Sequence, residues 1–228
     1  MSETRPTKEI PNHRDIQAFR KQLISWYTRH GRTFPWRKKS ATHYQKILAE
    51  IFLQRTRAET IETFLSGFIN RFPSWKTLSM AKESDLESFL KPIGLWRQRA
   101  ASLKALATEM AKRGGRFPKE REDIEKLPGV GQYIANSIFL FCHGKPEPLL
   151  DVNMARVLER FFGPRILADI RYDPYLQKLS GAVVNGKDPR IINWAILDFA
   201  SKICLSSQPK CSECPINKNC KYLTRLDC

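Results

Sequence analysis

Four cysteines near the C-terminal end carry the most specific chemical signal in the chain. Cys204, Cys211, Cys214 and Cys220 are separated by six, two and five residues. Clustered thiolates hold soft metal centres, and a chain without a secretory leader uses cysteine for ligation before disulfides. Zinc ribbons pair two CxxC knuckles, whereas here a single CxxC has long flanks. The residues alone therefore leave zinc and an iron–sulfur centre open. Cys142 and Cys228 stand outside the pattern, and Cys142 is expected to be buried in an apolar helix. Lys202, Lys210, Lys218 and Lys221 lie in and around the loop against one acid, Glu213. Such a loop suits phosphate contact, or is simply a solvated basic face.

A second constellation runs from Leu127 to Asp151, LPGVGQYIANSIFLFCHGKPEPLLD. Pro128 fixes its own φ, while Gly129 and Gly131 admit positive φ or close approach by another molecule. Tyr133, Ile134, Ile138, Phe139 and Phe141 then open an apolar helix. A glycine turn at a helix start points unpaired N–H groups outward, which makes an anion site. An ordinary tight loop between core helices is the competing reading. Asp151 precedes a further apolar run and would serve as an N-cap, a common role worth about 1 kcal/mol.

Three more stretches carry polar groups whose surroundings matter. Glu50 falls on a helix expected over Thr42–Thr56, and periodicity turns it to the solvated face. Gln54 and Arg55 follow as a polar helix end. Leu95, in the IGLW turn after Pro92, reads as core packing on its own, and Arg97 and Arg99 beside it suit phosphate contact.

The elements that position these residues are helical, with no alternating strand pattern. Asn12 caps a first helix striped by Ile16, Phe19, Leu23, Trp26 and Tyr27 and closed at Gly31. Thr42 and Gln45 make a capping box for the helix bearing Glu50. Another helix runs from Ala58 until Pro73 stops it. Ser84 and Glu87 suggest a second capping box, and residues 96–113 form a longer helix closed by Gly114 and Gly115. A short helix over Lys119–Lys126 leads into the glycine turn. Asp173-Pro174 and Asp188-Pro189 start two late helices. With 228 residues, 42% hydrophobic, the chain holds one large or two modest domains. Its net charge of +16 calls for a polyanionic partner. No apolar run reaches transmembrane length, and an intracellular protein is expected.

Taken together, LPGVGQYIA, LLDVNMARVLERFFG, YQKILAEIFLQRTRAET and the cysteine run make the chain similar to helix-hairpin-helix (HhH-GPD) DNA glycosylases. Within the endonuclease III superfamily it most resembles mismatch-specific thymine/uracil glycosylases, then adenine glycosylases, over about residues 14 to 221. The resemblance implies an all-α, two-domain fold: residues 37–148 as a six-helix barrel with the hairpin, 149–228 as C-terminal helices and cluster loop, and 1–36 packing on the latter.

It also implies roles. Asp151 matches the catalytic aspartate that stabilises an oxocarbenium-like sugar and orients water. Tyr133 replaces the lysine with which bifunctional relatives form a Schiff base, so base removal without strand cleavage is expected. Glu50 matches the acid that serves the departing base, a task that burial would favour. Gln54, Arg55 and Leu95 match residues that fill the gap of an extruded base. Leu127, Gly129, Val130, Gly131 and Gln132 match the DNA-binding hairpin, and the four cysteines match the ligands of a 4Fe–4S cluster. The expected activity is hydrolysis of thymine or uracil opposite guanine, by a monomer acting on double-stranded DNA. Adenine excision is the alternative among enzymes, weakened because the chain stops eight residues after Cys220. A non-catalytic lesion-binding protein is the alternative of another class.

Overall fold

The computed structural model describes residues 8–224. Cys228 and the first seven residues of the charged N-terminus lie outside the described residues. Among the described residues the chain has no strand, as the all-α expectation requires. Its helices are α1 (His13–His30), α2 (His43–Leu53), α3 (Ala58–Arg71), α4 (Trp75–Met80), α5 (Glu83–Leu90), α6 (Trp96–Lys112), α7 (Arg121–Glu125), α8 (Gln132–Cys142), α9 (Val152–Phe162), α10 (Pro174–Val184), α11 (Pro189–Lys202) and α12 (Lys221–Thr224). None is long and apolar enough to cross a membrane. The chain divides into two compact units: Thr33–Gly144, and the residues up to Arg32 together with those from Lys145 onward.

In the unit Thr33–Gly144, α2 starts at a reciprocal cap. Gln45 N donates to Thr42 Oγ1 at 3.2 Å, and Thr42 N donates to Gln45 Oε1 at 2.9 Å. Ile47, Leu48, Ala49 and Phe52 of α2 are fully buried, and α2 packs on both α3 and α8. Phe52, Phe68, Phe72 and Phe89 extend this core as an aromatic cluster, with the Phe52 and Phe68 rings 4.9 Å apart. Helices α4 and α5 pack on α6 through Leu78, Leu86, Leu90, Leu103 and Leu106. Gly114 and Gly115 close α6 at positive φ, with Gly115 N bonded to Met110 O at 2.8 Å.

Two sequence expectations change here, and one helix is new. Helix α2 stops at Leu53 rather than Thr56, because Gln54 and the left-handed Arg55 leave helical geometry. Ser84 and Glu87 form no capping box: α5 starts at Glu83 from Lys82, with no side-chain cap. Glu83 and Asp85 instead complement the positive end of that helix. Periodicity does not announce α4, which is too short for a stripe, yet Ser74 and Thr77 cap it reciprocally.

In the other unit, Ile16, Phe19, Leu23 and Trp26 form the expected buried stripe of α1, which packs on α10 and α11. Asn12 caps it, accepting from Asp15 N at 3.0 Å. Gly31 closes it in an extended conformation, where a Cβ would meet the Tyr27 ring at 2.6 Å. Phe19 touches Phe161 and Phe162 of α9 at 4.8 and 5.0 Å. Asp173 and Asp188 cap α10 and α11 as expected. Asp173 is fully buried and also accepts from Ile166 N and Leu167 N, pinning the loop before α10. Asp198 of α11, likewise buried, receives Arg32 N at 2.7 Å and Arg32 Nε at 2.8 Å.

Candidate active site and nucleic-acid interface

Packing of α2 against α8 joins two of the singled-out residues. Glu50 is only 3% exposed, and Tyr133 Oη donates to its Oε2 at 2.8 Å. The solvated-face expectation for Glu50 therefore fails. A wheel with one apolar stripe presumes one covered side, whereas α2 is covered by two helices, and its remaining face lies beneath the start of α8. Tyr133 is half-buried, as an aromatic in the first turn of α8.

The turn ahead of α8 has the shape its glycines suggested, for one glycine of the two. Gly129 has φ 72°, and a Cβ there would come within 3.2 Å of Ser102 Cβ. Gly131 is extended and exposed, with open space where a side chain would stand, so it leaves the N-terminus of α8 uncovered. Leu127 and Val130 are buried, which leaves only their backbone for an external ligand. Gln132 is half-buried.

Two other turns of this unit hold the only non-glycine residues with positive φ among the described residues: Arg55 at 60° and Leu95 at 50°. Each left-handed residue costs roughly 1–2 kcal/mol, and such strain collects at functional positions. Gln54 and Arg55 are exposed. Leu95 is 47% exposed, so core packing does not explain it. Gln54, Arg55, Leu95, Arg99 and Gly129 line one open concavity. Arg97 is exposed and lies over the Trp96 ring, 4.3 Å from its centroid. Arg99, unlike Arg97, is turned inward: its Nη2 donates to Gln54 O at 2.6 Å and to Thr56 Oγ1 at 2.9 Å.

Asp151 belongs to the other unit and is the N-cap of α9, as anticipated. Its Oδ1 accepts from Asn153 N at 2.9 Å and Met154 N at 2.8 Å, and its Oδ2 from Asn153 Nδ2 at 2.6 Å. Burial raises its pKa above the usual carboxylate value, against the pull of these hydrogen bonds. A cap needs only the backbone bonds, so the second oxygen with its own amide donor is an addition. Sequence reasoning missed Asn153, although an amide two residues past a capping acid is a legible signal. It also missed Arg156, which donates to Asn153 Oδ1 at 3.1 Å, Cys204 O at 2.9 Å and Ala200 O at 3.1 Å.

The cysteines lie on the same unit as Asp151. Cys204, Cys211, Cys214 and Cys220 line one small, partly open apolar recess walled by Val157, Phe161, Phe199, Ile203 and Ile216. Burial pushes the Cys214 thiol up to about 11 and raises that of Cys211. Arg160 braces the loop, donating to Leu205 O at 2.6 Å, Ser206 O at 2.8 Å and Cys204 Sγ at 3.5 Å. Among the described residues no three His, Cys, Asp or Glu side chains converge on one ion position. Four thiols around one apolar recess are a donor set suited to a soft metal centre. Cys142 is half-buried at the end of α8, and burial pushes its thiol up to about 12. Of the nearby lysines, Lys202 is tied to His30 O at 2.7 Å and Lys210 lies 3.9 Å from Glu213, while Lys218 and Lys221 are exposed.

Residues 48–169 match the profile of the HhH-GPD superfamily base excision DNA repair proteins. The chain belongs to that superfamily. Among its HhH-GPD relatives, the thymine-DNA glycosylase of Aeropyrum pernix is 38% identical over 213 residues, 91% of this chain and 95% of that one. An adenine DNA glycosylase of Buchnera aphidicola is 31% identical, with 90% of this chain matched to 58% of its length. The solved structure of a thermostable thymine-DNA glycosylase superimposes with a TM-score of 0.85 at 30% identity, covering 93% of this chain and 98% of the other.

Proposed function

We propose that this HhH-GPD protein is a monofunctional DNA glycosylase that hydrolyses the N-glycosidic bond of thymine or uracil mispaired with guanine in double-stranded DNA. The hydrogen bond between Tyr133 and Glu50 carries the reading. Where a lyase needs an amine, this chain has a phenol held by a buried carboxylate, and a phenol forms no Schiff base. Water is then the nucleophile. Asp151, half-buried and held by Asn153, supplies negative charge to the cationic sugar and orients that water. Glu50, with Tyr133, serves the base as it departs. Uracil differs from thymine only by lacking a methyl group, so a site that admits thymine has room for uracil.

Gln54, Arg55 and Leu95 take the space of the extruded base, and the backbone of Leu127–Gly131 with Gln132 contacts phosphate at the start of α8. Cys204, Cys211, Cys214 and Cys220 hold a 4Fe–4S cluster, which when bound cross-links the loop that carries Lys210 and Lys218. The protein acts as a monomer inside the cell. The test is a panel of single-mismatch duplexes, incubated with protein and then cleaved with alkali. Cleavage at thymine or uracil opposite guanine, and only after alkali, is expected. Cleavage at adenine would give the adenine-excising alternative, and no cleavage of any duplex with tight binding would give a lesion-binding protein.

A further inference from the structure

Arg55 and Leu95 sit on separate turns, yet one set of side-chain bonds joins the turns. Arg99, in the first turn of α6, donates through Nη2 to Gln54 O at 2.6 Å, the carbonyl just before Arg55. The same nitrogen donates to Thr56 Oγ1 at 2.9 Å, just after it. A guanidinium accepts nothing, so the Thr56 hydroxyl proton is left for Ile93 O, 3.4 Å away and two residues before Leu95. Arg99 N in turn bonds Leu95 O at 2.9 Å. The other nitrogen, Nη1, is buried with no hydrogen-bond partner. A surface arginine used for phosphate contact would not be turned inward at that cost.

We propose that Arg99, with Thr56 as relay, is a positioning residue that clasps the two strained turns into one rigid two-pronged element. It acts on base extrusion through Arg55 and Leu95, without touching the base. Residues in left-handed conformations relax unless their surroundings over-determine them, and the clasp supplies that constraint. Both acceptors are held by Nη2, whose two N–H bonds are fixed in direction by the guanidinium plane, an aim that the shorter and freely rotating lysine ammonium does not keep. The inference rests on the glycosylase reading above.

The test uses the full chain and a duplex with one G·T mismatch and 2-aminopurine beside the thymine, whose fluorescence rises when the base leaves the stack. Arg99→Lys keeps the charge, Thr56→Val removes the relay hydroxyl at nearly constant volume, and Thr56→Ser restores it. Arg99→Lys and Thr56→Val should reduce the fluorescence rise and the single-turnover excision rate together by roughly tenfold to a hundredfold. Thr56→Ser should behave as the unaltered protein, and all three should bind a fully paired duplex normally. A wild-type fluorescence rise in Thr56→Val overturns the inference whatever becomes of Arg99→Lys. Equal losses on the paired duplex overturn it as well, since they mark a phosphate contact or general destabilisation. If the unaltered protein excises nothing, the glycosylase reading fails on its own, while the fluorescence arm needs no cleavage and still decides the clasp.

Discussion

Tyr133 donates its phenolic proton to Glu50 across 2.8 Å, and that bond couples the first turn of α8 to a carboxylate that α2 buries almost completely. Two helices far apart in sequence thus define the chemistry of one position. It has no amine to trap an opened sugar, and it has an acid shielded from water.

From that bond follows the outcome of borohydride trapping. The unaltered protein should yield no covalent protein–DNA adduct, whereas Tyr133→Lys should yield one, because it places an amine where the phenol stands. Glu50→Gln should lower single-turnover excision about 10²- to 10³-fold, the usual effect of losing one preorganised group. Efficient trapping by the unaltered protein would show that another amine does the chemistry.

Asp151 separates stability from activity. Its folded pKa is raised by burial, so the folded chain keeps this proton to higher pH than the unfolded chain does. Stability from this group is therefore full at low pH and falls as pH climbs from the usual carboxylate value through the raised one. Excision, for which the proposed mechanism uses the carboxylate, should rise through that same window. Asp151→Asn should melt at an equal or higher temperature while excising about 10²- to 10³-fold more slowly. Near-normal excision would reduce Asp151 to a cap, and a large drop in melting temperature would mean that its hydrogen bonds outweigh its desolvation.

Much of the fold was legible because its signals are local. The caps at Asn12, Thr42, Asp151, Asp173 and Asp188 each lie beside the helix they start, and the structure uses all five. Glu50 was misread because its burial depends on α8, more than eighty residues away, which no wheel of α2 contains. The core reading of Leu95 fails for a different reason: an apolar residue looks like core in sequence, which shows neither its exposure nor its left-handed backbone. Arg99 read as a phosphate contact and Arg156 went unread, because their acceptors include backbone carbonyls of other segments, which leave no trace in sequence.

Net charge predicts how binding answers to salt. With a net charge of +16 and exposed Lys218, Lys221 and Arg97, several phosphates should be neutralised on binding. Log K for duplex DNA should then fall by about 0.9 per phosphate contacted for each tenfold rise in salt. A fluorescence-anisotropy titration at several salt concentrations measures the slope. A flat line would remove phosphate contact from the account of this surface.

A chain of hydrogen bonds runs from the cysteine loop to Asp151. Arg156 holds Cys204 O and Ala200 O with two of its nitrogens and Asn153 Oδ1 with the third, and Asn153 holds Asp151 Oδ2. Protein purified without oxidation should be brown and contain iron and sulfide, with the four thiols as ligands. Stoichiometric zinc without iron would overturn that. Arg156→Lys keeps the charge but loses the planar fork, so Asn153 should be less well held and Asp151 less well aimed. Groups that orient a functional side chain from behind typically matter by about 10- to 100-fold, and excision should fall within that range while iron content stays close to that of the unaltered protein. Asn153→Ala should reproduce the loss, and combining the two changes should add little, because both break one chain of bonds. If the double variant instead multiplies the two losses, Arg156 acts on the cysteine loop and Asn153 on Asp151 separately, and the connection through α9 carries no coupling.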